Sequence, residues 1–383
     1  MNSRDRVMMA LDHKEPDKVP IDCGATIVTA PTRIAYQNLR GYLGMGEDAN
    51  PTTSHRQMDT VYPKEDFYQR YEVDFRTVAM KGPWEFEPRE MPDDSFYDEF
   101  NIRWKKASYY YDVVERPLAD CETVQDLDKA IWPDPYDPGR VEGLREEAKA
   151  LYENTDYAVI ADIMALGPFE GGCVLRGYEQ FCVDLAWDPK FAEALLDKIT
   201  DTDIELWDSF LDAVGDYVQV VCQGDDVGMQ TNLYISPDMY REFIKPRQKR
   251  IFDFIHSKTA AKVFYHSCGA VYDVIGDFID IGVDILNPIQ RSAANMDIAK
   301  MKKEFGKDLC FWGGGIDIQQ VLPFASLDEI EEDVKRTIEI MAPGGGYVFF
   351  PSHNVQADVT PDRFHKTFET ALKYRDYPIG TDG

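Results

Sequence analysis

The residues best suited to chemistry lie in the segment VFYHSCG, where His266 and Cys268 are separated by one serine. Imidazole nitrogen and thiolate sulfur are preferred donors for zinc. An H-x-C spacing at the end of a strand lets both side chains turn to the same side as the chain leaves it. Gly269 follows at once and permits a tight departure. Most His-x-Cys pairs bind nothing, so position has to decide the matter.

Other polar groups fall at comparable places. FPSHN ends a later apolar run and carries His353, one of six histidines. Three ligands with one open position define a catalytic zinc centre, and the alternative is a histidine that bonds its own loop or polarises a substrate. CQGDDVG brings Asp225 and Asp226 beside the His-x-Cys loop. They could ligate metal, orient His266, act as a general base, or fix a turn. GPFEGG places Glu170 at the same level as a further candidate ligand. Asn287, Gln290 and Trp312 are candidate substrate contacts. The glycines 313–315 suit either an anion nest or a plain turn before a helix started by Asp317. Cys173, Cys182 and Cys310 sit in apolar settings and read as core.

These groups need a frame that gathers strand ends. SRDRVMMALD reads as a short helix capped by Ser3, VPIDCG (19–24) as a first buried strand, and the tyrosine-rich stretch after it as helical. VDFRTVAM (73–80) is a second strand. YAVIADI (157–163), YVQVVCQ (217–223), AKVFYHS (261–267), VDILNPI (283–289), DLCFWGG (308–314) and GYVFFPS (346–352) complete eight, alternating with amphipathic helices such as 188–215 and 326–343. Alternation of this kind predicts a parallel α/β sheet, and eight repeats predict closure into a (β/α)8 TIM-type barrel. Such a barrel collects chemistry at the C-terminal ends of its strands, where the polar residues above fall. The open doubly wound alternative lacks a GxGxxG after an early strand. Segments within 95–118 alternate like a hairpin inserted in a barrel loop. WPDPYDPG (132–139) marks a turn before a helix. The chain thus reads as one barrel domain over 1–383 with an N-terminal extension.

With 69 acidic against 41 basic residues among 383, the formal charge is −28. Such a chain repels nucleic-acid backbones and anionic lipid, so neither is an expected partner. No stretch approaches the roughly 18 apolar residues of a spanning helix. Seven scattered cysteines make no disulfide framework, and a reducing cytoplasm is the natural reading. A homodimer is compatible with the sequence.

On SRDRVMMALDHKEPDKVPID, LGPFEGGCVLRGYEQFCVDLAWDP, GDDVGMQTNLYISPDMYREFIKPRQKRIFDFIH, FYHSCG and GYVFFPSHNVQADVTPDRF, the chain resembles the uroporphyrinogen decarboxylase superfamily over nearly its whole length. The resemblance implies a distorted β/α barrel. The decarboxylases of that superfamily carry an RQAGR motif after the first strand, where this chain has CGATIVTAPTR, and an aspartate after the second strand that VDFRTVAM does not match. The other branch consists of cobamide-dependent methyltransferases, in which an H-x-C pair and a later cysteine hold zinc. His266 and Cys268 match the pair, and His353 stands in place of the later cysteine. Imidazole for thiolate leaves such a centre one unit more positive and a stronger Lewis acid. The resemblance therefore implies zinc, a small methyl donor or acceptor (a methoxylated aromatic or a thiol), and a corrinoid. The chain has no DxHxxG cobalamin motif, so a separate corrinoid protein would carry the cofactor to the barrel mouth. The aromatic N-terminal third and the hairpin would line the substrate cavity. A metal-independent decarboxylase of a smaller acid is the competing activity, and a non-catalytic tetrapyrrole or corrinoid carrier is a third.

Overall fold

The computed structural model describes residues 1–162 and 166–380. Its centre is a curled sheet of seven parallel strands: β1 (Phe75–Ala79), β2 (Ala158–Asp162), β3 (Val220–Gly224), β4 (Lys262–His266), β5 (Ile285–Asn287), β6 (Cys310–Trp312) and β7 (Tyr347–Val348). They pair in sequence order, each with the next, as right-handed β/α crossovers require. All seven coincide with apolar runs read as strands, although Ile163 lies outside the described residues. Near-continuous Val, Ile and Phe is what a strand buried on both faces needs.

The first expected strand, 19–24, shrinks to a single bridge. Ile21 pairs in parallel with Phe349. Phe349 N–H donates to Pro20 O at 2.9 Å, and Asp74 N–H to Ile21 O at 3.0 Å. Residues 20–22 therefore join the two edges of the sheet, completing the α/β barrel with a minimal eighth staple. The pairing cannot lengthen. Pro20 has no N–H to give, and the chain turns away at Gly24, whose φ is +98°.

Three further expectations are corrected. Asn2, not Ser3, caps the first helix, accepting from Asp5 N–H at 2.8 Å. The stretch after the first strand holds helices Arg33–Tyr42 and Glu65–Arg70, but an antiparallel ribbon, Thr52–His55 with Thr60–Tyr62, interrupts it. The inserted hairpin is a sheet of four antiparallel strands, Arg89–Glu90, Ser95–Tyr97, Arg103–Ala107 and Tyr110–Glu115. Several strands of the added pieces are only two to four residues long, too short for alternation to be legible.

Among the described residues no helix is long and apolar enough to cross a membrane. The seven cysteines are free thiols. Cys173 and Cys310 are buried and Cys182 is half-buried.

Candidate metal centre

Register aligns the strand ends that matter. His266 sits level with Gly224 on β3 and with Asn287 on β5. Asn287 is fully buried, its Oδ1 lies 2.6 Å from His266 Nδ1, and its Nδ2 donates to Trp312 O at 2.8 Å. A carbonyl oxygen can only accept, so His266 carries its proton on Nδ1 and keeps the Nε2 lone pair free. Cys268 Sγ lies 3.4 Å from that Nε2. Zinc bonds of about 2.0–2.3 Å in a tetrahedron separate two donors by roughly 3.5 Å, so the pair fits one tetrahedral edge.

Cys268 is aimed by its neighbours. Its N–H donates to Asp226 Oδ1 at 2.8 Å, and Gly269 N–H donates to Gln290 Oε1 at 2.8 Å. Ser267 Oγ accepts from Val227 N–H at 3.0 Å, tying the loop to the chain after β3. His353 arrives from the loop after β7, its ring centre 5.4 Å from that of His266. Ligand atoms of His266, Cys268 and His353 all lie within 4.8 Å of one another. His353 Nδ1 accepts from Asn354 N–H at 2.8 Å. Its neutral ring therefore holds the proton on Nε2, and ligation through Nε2 would cost that hydrogen bond.

The two aspartates separate in role. Asp225 is buried, and its oxygens accept from Phe169 N–H (3.0 Å), Glu170 N–H (2.7 Å) and Gln248 Nε2 (2.7 Å). It anchors the N-terminus of helix Pro168–Arg176. Burial pushes its carboxyl up to about 7. Asp226 faces the cavity and stands 3.8 Å from His266 Nε2. Glu170 lines the same cavity, its carboxyl raised by burial first and then by the nearby Asp226 and Asp225. Burial, then Asp226 and Glu170, raises the Cys268 thiol well above its usual value. A thiol, two imidazoles and two carboxyl groups form a cluster that a cation would relieve, and the donor set suits zinc.

Two of the expected substrate contacts point elsewhere. The Trp312 indole is fully buried in the barrel, 4.4 Å from the Phe75 ring and 5.0 Å from that of Phe264, with Nε1 donating to Asp22 Oδ2 at 3.0 Å. Asn287 is buried against His266 and the Trp312 carbonyl, and among the described residues it lines neither cavity at this site. Gln290 faces a second cavity of about 500 Å³ that Cys268 and His353 also line. The glycine run makes no free nest, because Gly313 and Gly315 N–H pair with Val348 O and Phe350 O. Asp317 caps a turn through Gln319 and Gln320 N–H, and no helix starts there.

The principal cavity, about 360 Å³, runs from His266, His353, Asp226 and Glu170 to Phe100 and Trp104 of the inserted sheet. Of the expected aromatic lining, Phe100 and Trp104 of the inserted sheet face this cavity, and among the described residues no tyrosine does. His55 and Gln57 of the ribbon also line it. The sequence reading missed both, because a single histidine and a glutamine in a polar stretch carry no spacing signal.

Residues 111–374 match the family model described as Uroporphyrinogen decarboxylase (URO-D). The chain belongs to the uroporphyrinogen decarboxylase family. Curated uroporphyrinogen decarboxylases from Chlorobium phaeobacteroides and Geobacillus kaustophilus are 26% identical over 180 residues and 29% identical over 196. Those alignments cover 45% and 50% of this chain. The chain spans about half the length of these curated relatives, 46% and 50%. A methyltransferase from Methanosarcina mazei shares the fold, with a TM-score of 0.68 at 18% identity over 98% of this chain and 99% of that one. The family segment holds every metal-centre residue but excludes β1, the ribbon, and Phe100 and Trp104 of the inserted sheet.

Proposed function

We propose that this member of an enzyme family is a zinc-dependent methyltransferase that moves a methyl group between a small donor or thiol and a corrinoid on a separate protein. The convergence of His266, Cys268 and His353 carries the reading, with donor atoms within 4.8 Å and the His266 tautomer preset by Asn287. Zinc held there would supply Lewis-acid polarisation of an ether oxygen or lower a thiol's pKa. His266 and Cys268 are the paired ligands and His353 the third, the one with a hydrogen bond to give up. Asp226 is placed to orient Cys268 through its N–H and to exchange a proton at the cavity wall. The Methanosarcina mazei protein shares the barrel that this reading requires. No DxHxxG motif occurs in the sequence, which is why the corrinoid is assigned to a partner.

The reading is tested by metal quantification and by methyl transfer from 2-methoxyphenol to reduced cobalamin. Wild-type protein made with zinc should hold about one zinc per chain and form methylcobalamin, while His266→Ala and Cys268→Ser should lose both. Zinc-free wild type, or His266→Ala with unchanged turnover, would sink it. Release of CO2 from a carboxylated substrate without corrinoid would instead establish the decarboxylase.

A further inference from the structure

The wall of the principal cavity built outside the family segment has its own chemistry. His55 Nδ1 is buried and meets no hydrogen-bond partner among the described residues. Burial lowers that imidazole to about 4, so the ring is neutral near pH 7 and offers one donor and one acceptor. Gln57 is buried, and among the described residues only its backbone oxygen is engaged, by Tyr111 N–H at 3.0 Å. Two neutral side chains with unspent hydrogen-bonding capacity therefore face one space. Unsatisfied buried groups cost stability unless a ligand or water completes them.

The neighbouring surface is rigid and apolar. Asp98 accepts from Trp104 Nε1 at 2.7 Å, Ile102 N–H at 2.9 Å and Phe100 N–H at 3.0 Å. Its carboxylate is consumed in fixing the aromatic shelf. Glu99 is likewise consumed by an ion pair with Arg140. Among the described residues no Lys or Arg lines the cavity, and positions 163–165 are Ile, Met and Ala. A donor carboxylate turned towards His55 and Gln57 would lie on the wall that also carries Asp98 and Glu99, with no Lys or Arg side chain lining the cavity to meet it.

We propose that His55 and Gln57 are specificity-determining residues that recognise the polar group of an uncharged, aromatic methyl donor, and that carboxylated donors are rejected. The inference rests on the reading of this cavity as the methyl donor's site. It adds the donor's charge and the residues that read it.

The experiment is calorimetric titration of the full-length protein with 2-methoxyphenol, 4-hydroxy-3-methoxybenzoate and tetramethylammonium, without corrinoid. 2-Methoxyphenol should bind at least about tenfold more tightly than the benzoate, whose charge meets no Lys or Arg, and than tetramethylammonium, which has no polar group for His55 and Gln57 to read. His55→Ala and Gln57→Ala should each weaken it by about five- to tenfold. Gln57→Lys should shift the preference towards the benzoate by at least about threefold, a gain that misfolding cannot mimic. The proposal is overturned if either charged probe binds as tightly as 2-methoxyphenol. It is equally overturned if 2-methoxyphenol does not bind at millimolar concentration, or if both alanine variants bind it unchanged. Neutral-selective binding without methyl transfer would remove the proposed reaction and leave the specificity. Equal transfer from all three donors would do the reverse.

Discussion

Asn287 shows how a residue with no ligand role can preset the chemistry of the proposed zinc site. Its amide oxygen accepts from His266 Nδ1–H at 2.6 Å while its own N–H donates to the Trp312 carbonyl, so it cannot flip without losing a buried bond. Asn287→Ala should therefore weaken zinc binding by about 10- to 100-fold, and Asn287→Asp, which still accepts from Nδ1, should restore most of it. Competition with a chelator of known affinity measures this, and an alanine variant with wild-type affinity would refute the tautomer argument. Asn287 and Trp312 also mark the limit of legibility at this scale. His266, Cys268 and His353 were readable because few side chains donate to zinc and all three follow apolar runs. Where a polar or aromatic side chain at a strand end points depends on register, and Trp312 turned out to fill the barrel, tilted against Phe75 and edge-on to Phe264.

Two loops meet behind Cys268 with no room between them. Gly269 has φ of +90°, and a Cβ placed there would lie 2.5 Å from Gly228 C and 2.6 Å from Gly228 O. Neither atom belongs to a flexible side chain, so relief requires moving backbone. Gly269→Ala should cost about 2–3 kcal/mol in urea unfolding and shift Cys268 off its ligand position, lowering zinc content. A variant with wild-type stability and a full complement of zinc would show that the loops yield. At this scale the parallel strands were legible from their unbroken apolar runs. The pieces that finish the molecule were not. The segment 20–22 closes the sheet with one bridge that Pro20 cannot extend. The ribbon bearing His55 has strands of only four and three residues, too short to carry a period. Two of the four strands of the inserted sheet are similarly brief, so only its longer hairpin could be read.

The whole molecule buries ionisable groups whose linkage sets how its stability varies with pH. Burial raises Asp203 from 3.8 to about 8, Asp162 to about 7 and Asp22 to about 6. A carboxyl with a folded value above its unfolded one stabilises fully below the unfolded value, and that contribution is lost as pH rises through the folded value. Burial, with the charge of His266 for His353, lowers His353 to about 3, and burial lowers His55 to about 4, both below the unfolded value of 6.5. Their contribution has the opposite sign: it is complete above 6.5 and disappears as pH falls towards the folded values. The two sets oppose each other below pH 6.5. Between about 6.5 and 8 the carboxyls act without that opposition, and the overall charge of −28 adds repulsion in the same direction. Thermal midpoints should therefore fall between pH 6.5 and 8. Asp203 is the deepest contributor, and its Oδ2 accepts from Gly167 N–H at 3.0 Å, a bond that an asparagine oxygen can also accept. Asp203→Asn keeps that bond and removes the ionisation, so its midpoint should decline less over the same window, with the gain over wild type greatest at pH 8. Parallel slopes for wild type and Asp203→Asn in calorimetric scans at pH 6.5, 7.25 and 8 would mean that this carboxyl ionises in the fold without penalty.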